Sequence, residues 1–148
     1  MDPSAALSAE LAAIYGPFVN MINACEWRGL PLCERRWVMG GQVCVAAGWR
    51  RRGLCHRLYA AQAAALGGAH VEAVEVIVTA IDLGNVPSLA AHLAVGFVEI
   101  GRFGAEARPS VHHGATGDAA EQGWSIIALP TTTFRRGPVG SPEGRTAS

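Results

Sequence analysis

Residues Trp37 to Tyr59 read WVMGGQVCVAAGWRRRGLCHRLY, and the fold turns on how this stretch divides. Val38 to Ala46 is rich in β-branched and other apolar residues, as a buried strand is, and from Leu54 onward apolar residues recur at helical spacing. Between them Gly48 to Gly53 makes a short turn carrying three consecutive arginines, Arg50, Arg51 and Arg52. A strand feeding a helix through a glycine-containing basic turn leaves the first helical N–H groups unbonded and aims the positive end of the helix dipole at one spot. Residues 50 to 56 are therefore expected to seat a phosphate or pyrophosphate.

Working outward, Leu54, Leu58, Ala61 and Ala65 fall at i, i+4, i+7 and i+11, one face of a helix that stops at Gly67-Gly68 and exposes Arg57 and Gln62. Val74 to Ile81 (VEVIVTAI) is the strongest strand in the chain. Strand, helix, strand with a crossover of this length predicts a parallel βαβ unit covered on its faces. Asn85 then caps a short helix with Pro87 in its first turn, ending before Gly96. Phe97 to Phe103 and Trp124 to Leu129 read as an antiparallel strand pair, with Trp124 anchoring the last strand in the core. The fold class is α/β, or α+β, with a mixed sheet flanked by helices.

The flanks carry weaker signals. Asp2-Pro3 opens an N-terminal helix through Leu7, Leu11 and Ala12. Gly16-Pro17 interrupts it, and a second short helix runs from Phe18 to about Trp27, ending before Gly29 and Pro31. Gly104 to Gly123 reads as a mobile loop, and the Thr, Gly, Pro and Ser content after Pro130 predicts a disordered tail. The division is a helical segment over residues 1–36, a core over 37–129 and a tail over 130–148.

Composition narrows the function. The chain has 148 residues, enough for one domain with a real core, and is 50% apolar and 16% charged with zero formal net charge. That balance gives no reason to expect a nucleic-acid or membrane-surface partner. All twelve basic residues are arginine, so no catalytic lysine is available. Cys25, Cys33, Cys44 and Cys55 lack paired metal spacing, and His112-His113 has no third ligand at such spacing, so no metal site is expected. No leader pattern and no apolar run of membrane length is present, which makes a cytoplasmic setting the expectation.

The string Arg50-Arg51-Arg52-Gly53-Leu54-Cys55 at a strand-to-helix turn resembles motif A of the GNAT superfamily of N-acetyltransferases, with Cys55 where the pattern has Gly or Ala. Downstream, Asn85, Ser88, His92, Gly96 and Phe97 resemble the family's second signature, in which Asn opens a helix, a proton donor follows seven residues later, and Gly-Phe enters the next strand. The resemblance covers roughly Val38 to Leu129. The family has a strand, two helices and an antiparallel strand pair ahead of motif A, so the chain resembles a GNAT domain shortened at its N-terminus. One sheet edge would then be open, with a homodimer through that edge, or a fragment, as the alternatives.

The resemblance implies acetyl-CoA as donor and a primary amine of a small molecule or peptide as acceptor. It implies that the pyrophosphate rests on the N–H groups of Arg51 to His56, assisted by the arginine side chains. Pantetheine would run along Val43, Cys44 and Val45, with a backbone N–H near Cys44 polarising the acetyl carbonyl. Asn85 and Ser88 would hold the cofactor, and His92, at a position commonly Tyr in the family, would protonate the leaving thiolate. No general base stands out; water, Glu75 and Asp82 are the candidates. Two other readings stay open. One is a non-catalytic acyl-CoA-binding or interaction module, and the other a nucleotide-binding βαβ domain without Walker or GxGxxG patterns. Apart from the resemblance, His92 reads as a helix histidine near a C-terminal end, and Cys44 and Cys55 as small buried apolar residues.

Overall fold

The computed structural model describes residue 13 and residues 16–40, 43–67, 73–104 and 123–134. In chain order these form α1 (helical residues 16–23), β1 (Glu26–Trp27), β2 (Leu30–Pro31), a 3-10 turn (Leu32–Glu34), β3 (Trp37–Met39) and a second 3-10 turn (Ala47–Trp49). There follow α2 (Leu54–Leu66), β4 (Val76–Asp82), α3 (Val86–Val95), β5 (Val98–Phe103) and β6 (Trp124–Pro130). The four-stranded sheet has the order β3-β4-β6-β5. The β3–α2–β4 unit has the parallel pairing expected of it, Trp37 opposite Val76 and Met39 opposite Val78. β6 runs antiparallel to both of its neighbours, with a register shift between Glu99 and Gly101 of β5.

Alternation along β4 and β6 builds two cores. Val76, Val78, Ile126 and Ala128 point to one face, where Phe18 and Ile22 of α1, Trp27 and Leu32 cover them. Ile77, Ile81, Ile127 and Leu129 point to the other, under Tyr59 and Ala63 of α2 and Val95 of α3. The sheet is thus sandwiched, with α2 and α3 sharing one side. Trp124 packs at the edge of the first core, its ring 6.1 Å from that of Phe18.

Four expectations need correction. The strand beginning near Val38 stops at Met39, and residues 43–46 are irregular before the 3-10 turn. Gly40-Gly41 sits inside the apolar run, and glycine weakens a strand interior. In α2 the buried residues are Tyr59 and Ala63, whereas Leu58, Ala61 and Ala65 are exposed. The helix is rotated so that its one large aromatic ring is buried. Gly16 and Pro17 are themselves helical, two residues ahead of the expected start at Phe18, and that helix ends at residue 23 instead of near Trp27; the helix expected from Asp2-Pro3 to Ala12 lies outside the described residues. Arg28 and Gly29 both have positive φ, 52° and 76°, the backbone of a two-residue hairpin turn that pairs β1 with β2. The chain after Pro130 is ordered through Phe134: the Thr131 hydroxyl donates to the Val74 carbonyl at 2.8 Å, and Phe134 packs on the second core. Residues 105–122 and 135–148, with His112-His113, lie outside the described residues.

Candidate functional site

The loop from β3 to α2 and the N-terminus of α3 come together at the carboxyl end of the parallel pair. On its β3 side, β4 is paired through Val78 only. One further bond follows, from the Gly40 N–H to the Val78 carbonyl at 2.7 Å, and the Thr79 hydroxyl donates to the Gly40 carbonyl at 3.4 Å. Beyond that point β4 continues to Asp82 bonded to β6 alone among the described residues. The carboxyl end of a parallel pair is the usual ligand position in sheets of this kind, in a crevice outside the strand ends.

Beyond the end of this pair Val43 packs into the second core, whereas Cys44, expected as a small buried residue, is exposed, because the segment that carries it is irregular and not a buried strand. The Arg50 guanidinium donates through Nε to the Val45 carbonyl at 2.9 Å, tying the turn back onto the extended segment. Arg52 lies over the Trp49 ring, 5.0 Å from its centroid. Arg51 adopts φ +60° and Gly53 φ +70°, and a Cβ at Gly53 would meet nothing within 4 Å. Gly53 is the N-cap of α2 and supplies no capping side chain. The first intrahelical bond is Arg57 N–H to the Gly53 carbonyl, so the N–H groups of Leu54, Cys55 and His56 precede it. His56 meets the edge of Phe134, ring centroids 4.9 Å apart. Cys55 is half-buried, and burial pushes its thiol up.

At α3, Asn85 caps the helix as expected, its Oδ1 accepting the Ser88 N–H at 3.3 Å, with Pro87 in the first turn and Gly96 left-handed at φ +119°. His92 is 4% exposed. Its Nδ1 lies 2.7 Å from the Ser88 carbonyl, which can only accept, so Nδ1 carries a proton. Nε2 lies 2.9 Å from the Tyr59 hydroxyl, which donates to it when the ring is neutral. Phe97 completes the cluster, with centroids 5.4 Å from His92 and 4.8 Å from Tyr59. Tyr59 is 1% exposed, and burial, with a smaller contribution from Cys55, pushes its phenol up to about 12.

The structure therefore places Val43 to Val45 and Arg50 to His56 on the segment leading into and opening α2, and Asn85, Ser88 and His92 on α3, with Val43, Cys55 and Leu89 packed against one core and His92 buried between the two helices. The sequence reading missed Tyr59, whose only signal was its spacing to Ala63 on a second apolar stripe of α2. Of the two carboxylates considered, Glu75 precedes β4 and is engaged. It accepts the Arg36 N–H at 3.0 Å and pairs with Arg35 and Arg36. That backbone bond, helped by both arginines, holds its carboxyl below the usual range. Asp82 ends β4 on the crevice side, its Oδ1 accepting the Gly84 N–H at 2.8 Å. Among the described residues no three metal-ligating side chains gather, and no helix is long and apolar enough to cross a membrane.

No family model matches the sequence, and no curated protein matches it. Solved structures do match the fold. One is a spermidine N-acetyltransferase SpeG chimera from Vibrio cholerae and hSSAT, at TM-score 0.50 and 14% identity over 69% of this chain and 55% of that one. A spermidine N-acetyltransferase from Vibrio cholerae in complex with CoA and spermine gives 0.48 and 14%, over 84% and 76%. A GNAT superfamily phosphinothricin acetyltransferase from Sinorhizobium meliloti, in complex with AcCoA, gives 0.46 and 18%, over 87% and 70%. This chain spans 55% of the length of the first of these. At such identities the likeness is one of fold: the mixed sheet with its flanking helices matches that of the spermidine N-acetyltransferase chimera.

Proposed function

We propose that the chain binds acetyl-CoA in the crevice between β3 and β4 and transfers the acetyl group to a primary amine of a small molecule or peptide. The observation that carries this reading is the uncapped, left-handed entry to α2 beside the point where the β3–β4 ladder ends. The pyrophosphate would rest on the N–H groups of Arg51 to His56, where the helix dipole and three arginines favour an anion. Pantetheine would lie along Val43, Cys44 and Val45, with the acetyl carbonyl accepting a backbone N–H near Cys44. Asn85 and Ser88 would flank it from α3. The amine nitrogen attacks the carbonyl carbon, the C–S bond breaks, one amine proton leaves to water, and the departing thiolate takes a proton, for which His92 is the proposed source.

A second reading, an acyl-CoA-binding module without turnover, is favoured by His92 itself. A ring that is 4% exposed and bonded at both nitrogens has no proton facing solvent. Incubation with acetyl-CoA and either spermidine or a peptide with a free N-terminal amine separates the two. Release of free CoA thiol with an amine product 42 Da heavier, about one acetyl in place of one proton, supports transfer. Saturable CoA binding with no product from either amine supports the module, and absence of binding contradicts both.

A further inference from the structure

The two ring nitrogens of His92 face different surroundings. On the Nε2 side stands the Tyr59 hydroxyl, 2.9 Å away and buried, with Phe97 closing the same cluster. Burial pushes the Tyr59 phenol up to about 12, so it keeps its proton. On the Nδ1 side stand two oxygens of one residue, the Ser88 carbonyl at 2.7 Å and the Ser88 hydroxyl at 3.5 Å. A carbonyl can only accept, whereas a hydroxyl accepts a proton from one side and gives one to the other. Ser88 is half-buried in the first turn of α3, the helix that follows β4 at the carboxyl end of the parallel pair.

We infer that the Ser88 hydroxyl is the group that hands a proton to the departing thiolate, with His92 as its buried supply and Tyr59 as the positioning residue behind the ring. The inference rests on the acetyl transfer proposed above, and it answers the objection that the His92 ring has no proton facing solvent. With His92 protonated at both nitrogens, Nδ1–H points to Ser88 and Nε2–H to the Tyr59 oxygen, which then accepts. As the C–S bond breaks, the sulfur takes the Ser88 hydroxyl proton: an S–H bond forms and the O–H bond breaks. The Nδ1 proton moves to Ser88 Oγ in the same step, so no alkoxide is left behind. His92 ends as a neutral imidazole with its remaining proton on Nε2, donated to the Tyr59 oxygen. Once CoA has left, a proton from water, balancing the one shed by the amine, returns through Ser88 to Nδ1. Hydrogen bonds between catalytic groups are commonly long in the free enzyme and shorten in the complex, and the 3.5 Å contact is of that kind. The backbone already sets it up, because Asn85 Oδ1 accepts the Ser88 N–H at 3.3 Å and the bond to the Ser88 carbonyl fixes the His92 ring beside the hydroxyl.

Steady-state turnover of the full chain with acetyl-CoA and either spermidine or a peptide with a free N-terminal amine tests this. The variants are Ser88→Ala, Ser88→Thr, His92→Phe and the Ser88→Ala/His92→Phe pair, with circular dichroism to verify folding. Ser88→Ala keeps the backbone N–H and carbonyl that bond Asn85 and His92, so its fold is expected intact. At saturating acetyl-CoA its kcat is expected to fall about a hundredfold, and Ser88→Thr, which keeps a hydroxyl, to recover to within about tenfold of the wild type. Residues that pass on one proton act as a unit, so the double variant should be no slower than the slower single one. A Ser88 that only held the cofactor would instead raise KM and add its loss to that of His92→Phe. Unchanged kcat in Ser88→Ala, no recovery in Ser88→Thr, or additive losses in the double variant overturn the relay and leave acetyl transfer standing. If His92→Phe does not fold, the Ala and Thr variants decide. No product from the folded wild type with either amine overturns acetyl transfer and the relay with it.

Discussion

His92 and Tyr59 hold α2 and α3 together by a bond between two buried groups, so removing either leaves the other unsatisfied. Tyr59→Phe and His92→Phe are each expected to destabilise the fold by about 1–3 kcal/mol. In a double-mutant cycle by urea denaturation their coupling should be about 1 kcal/mol, and strictly additive losses would contradict the bond. On the proposed reaction, His92→Phe should lower turnover far more than acetyl-CoA affinity; equal activity in the variant would make His92 purely structural. Arg51 is the second informative residue. It occupies a left-handed conformation that costs a side-chain-bearing residue about 1 kcal/mol. Arg51→Gly should therefore hold or raise the melting temperature, and a clear fall would show that the arginine side chain contributes more than the strain removes. The position of His92 was legible in the sequence, because Asn85 and Gly96 fix where α3 begins and ends. Its partner was not, because a residue on another helix leaves no mark in local spacing.

The elements were legible wherever one pattern dominated. β4 has an unbroken β-branched run and α3 has a cap at each end, and both were found within two residues. α2 carries two apolar stripes about one residue apart, Leu54-Leu58-Ala61-Ala65 and Cys55-Tyr59-Ala63-Leu66, and spacing cannot choose between them. Tertiary packing decides by burying Tyr59. β3 was read too long because the run continues past Gly40-Gly41, where the ladder ends. The β1–β2 hairpin was missed because its turn, Arg28-Gly29, puts an arginine in a left-handed position that composition does not advertise. The β5–β6 pair supplies a prediction at this scale. Gly123 has φ +83°, and a Cβ there would collide with the Phe103 carbonyl. Gly123→Ala should destabilise by about 2 kcal/mol or more in chemical denaturation, and an unchanged midpoint would mean that the strand end is free to shift.

At the scale of the molecule, the two sheet faces and the crevice depend on keeping β3, β4 and the turn after β6 in register. Glu75 sits at that junction. Its carboxylate accepts the Arg36 N–H and pairs with Arg35 and Arg36, while its backbone carbonyl accepts the Thr131 N–H at 3.0 Å. Its folded carboxyl is held below the ordinary value of 4.5, so the stabilisation is present above that value and is lost as pH falls through the folded one. Glu99, bonded by Arg102 and Ser125, acts with the same sign. Glu75→Gln should accordingly flatten the loss of stability between neutral and acid pH; an acid limb as steep as that of the wild type would locate the sensitivity elsewhere. In the proposed function, the left-handed turn into α2 seats the phosphates of acetyl-CoA. Isothermal titration of acetyl-CoA into the wild type and into Gly53→Leu tests this seat, with circular dichroism to verify that the variant is folded. Saturable binding at one site per chain that is lost in the folded variant is the predicted result. No binding by the wild type, or equal affinity in Gly53→Leu, would contradict it.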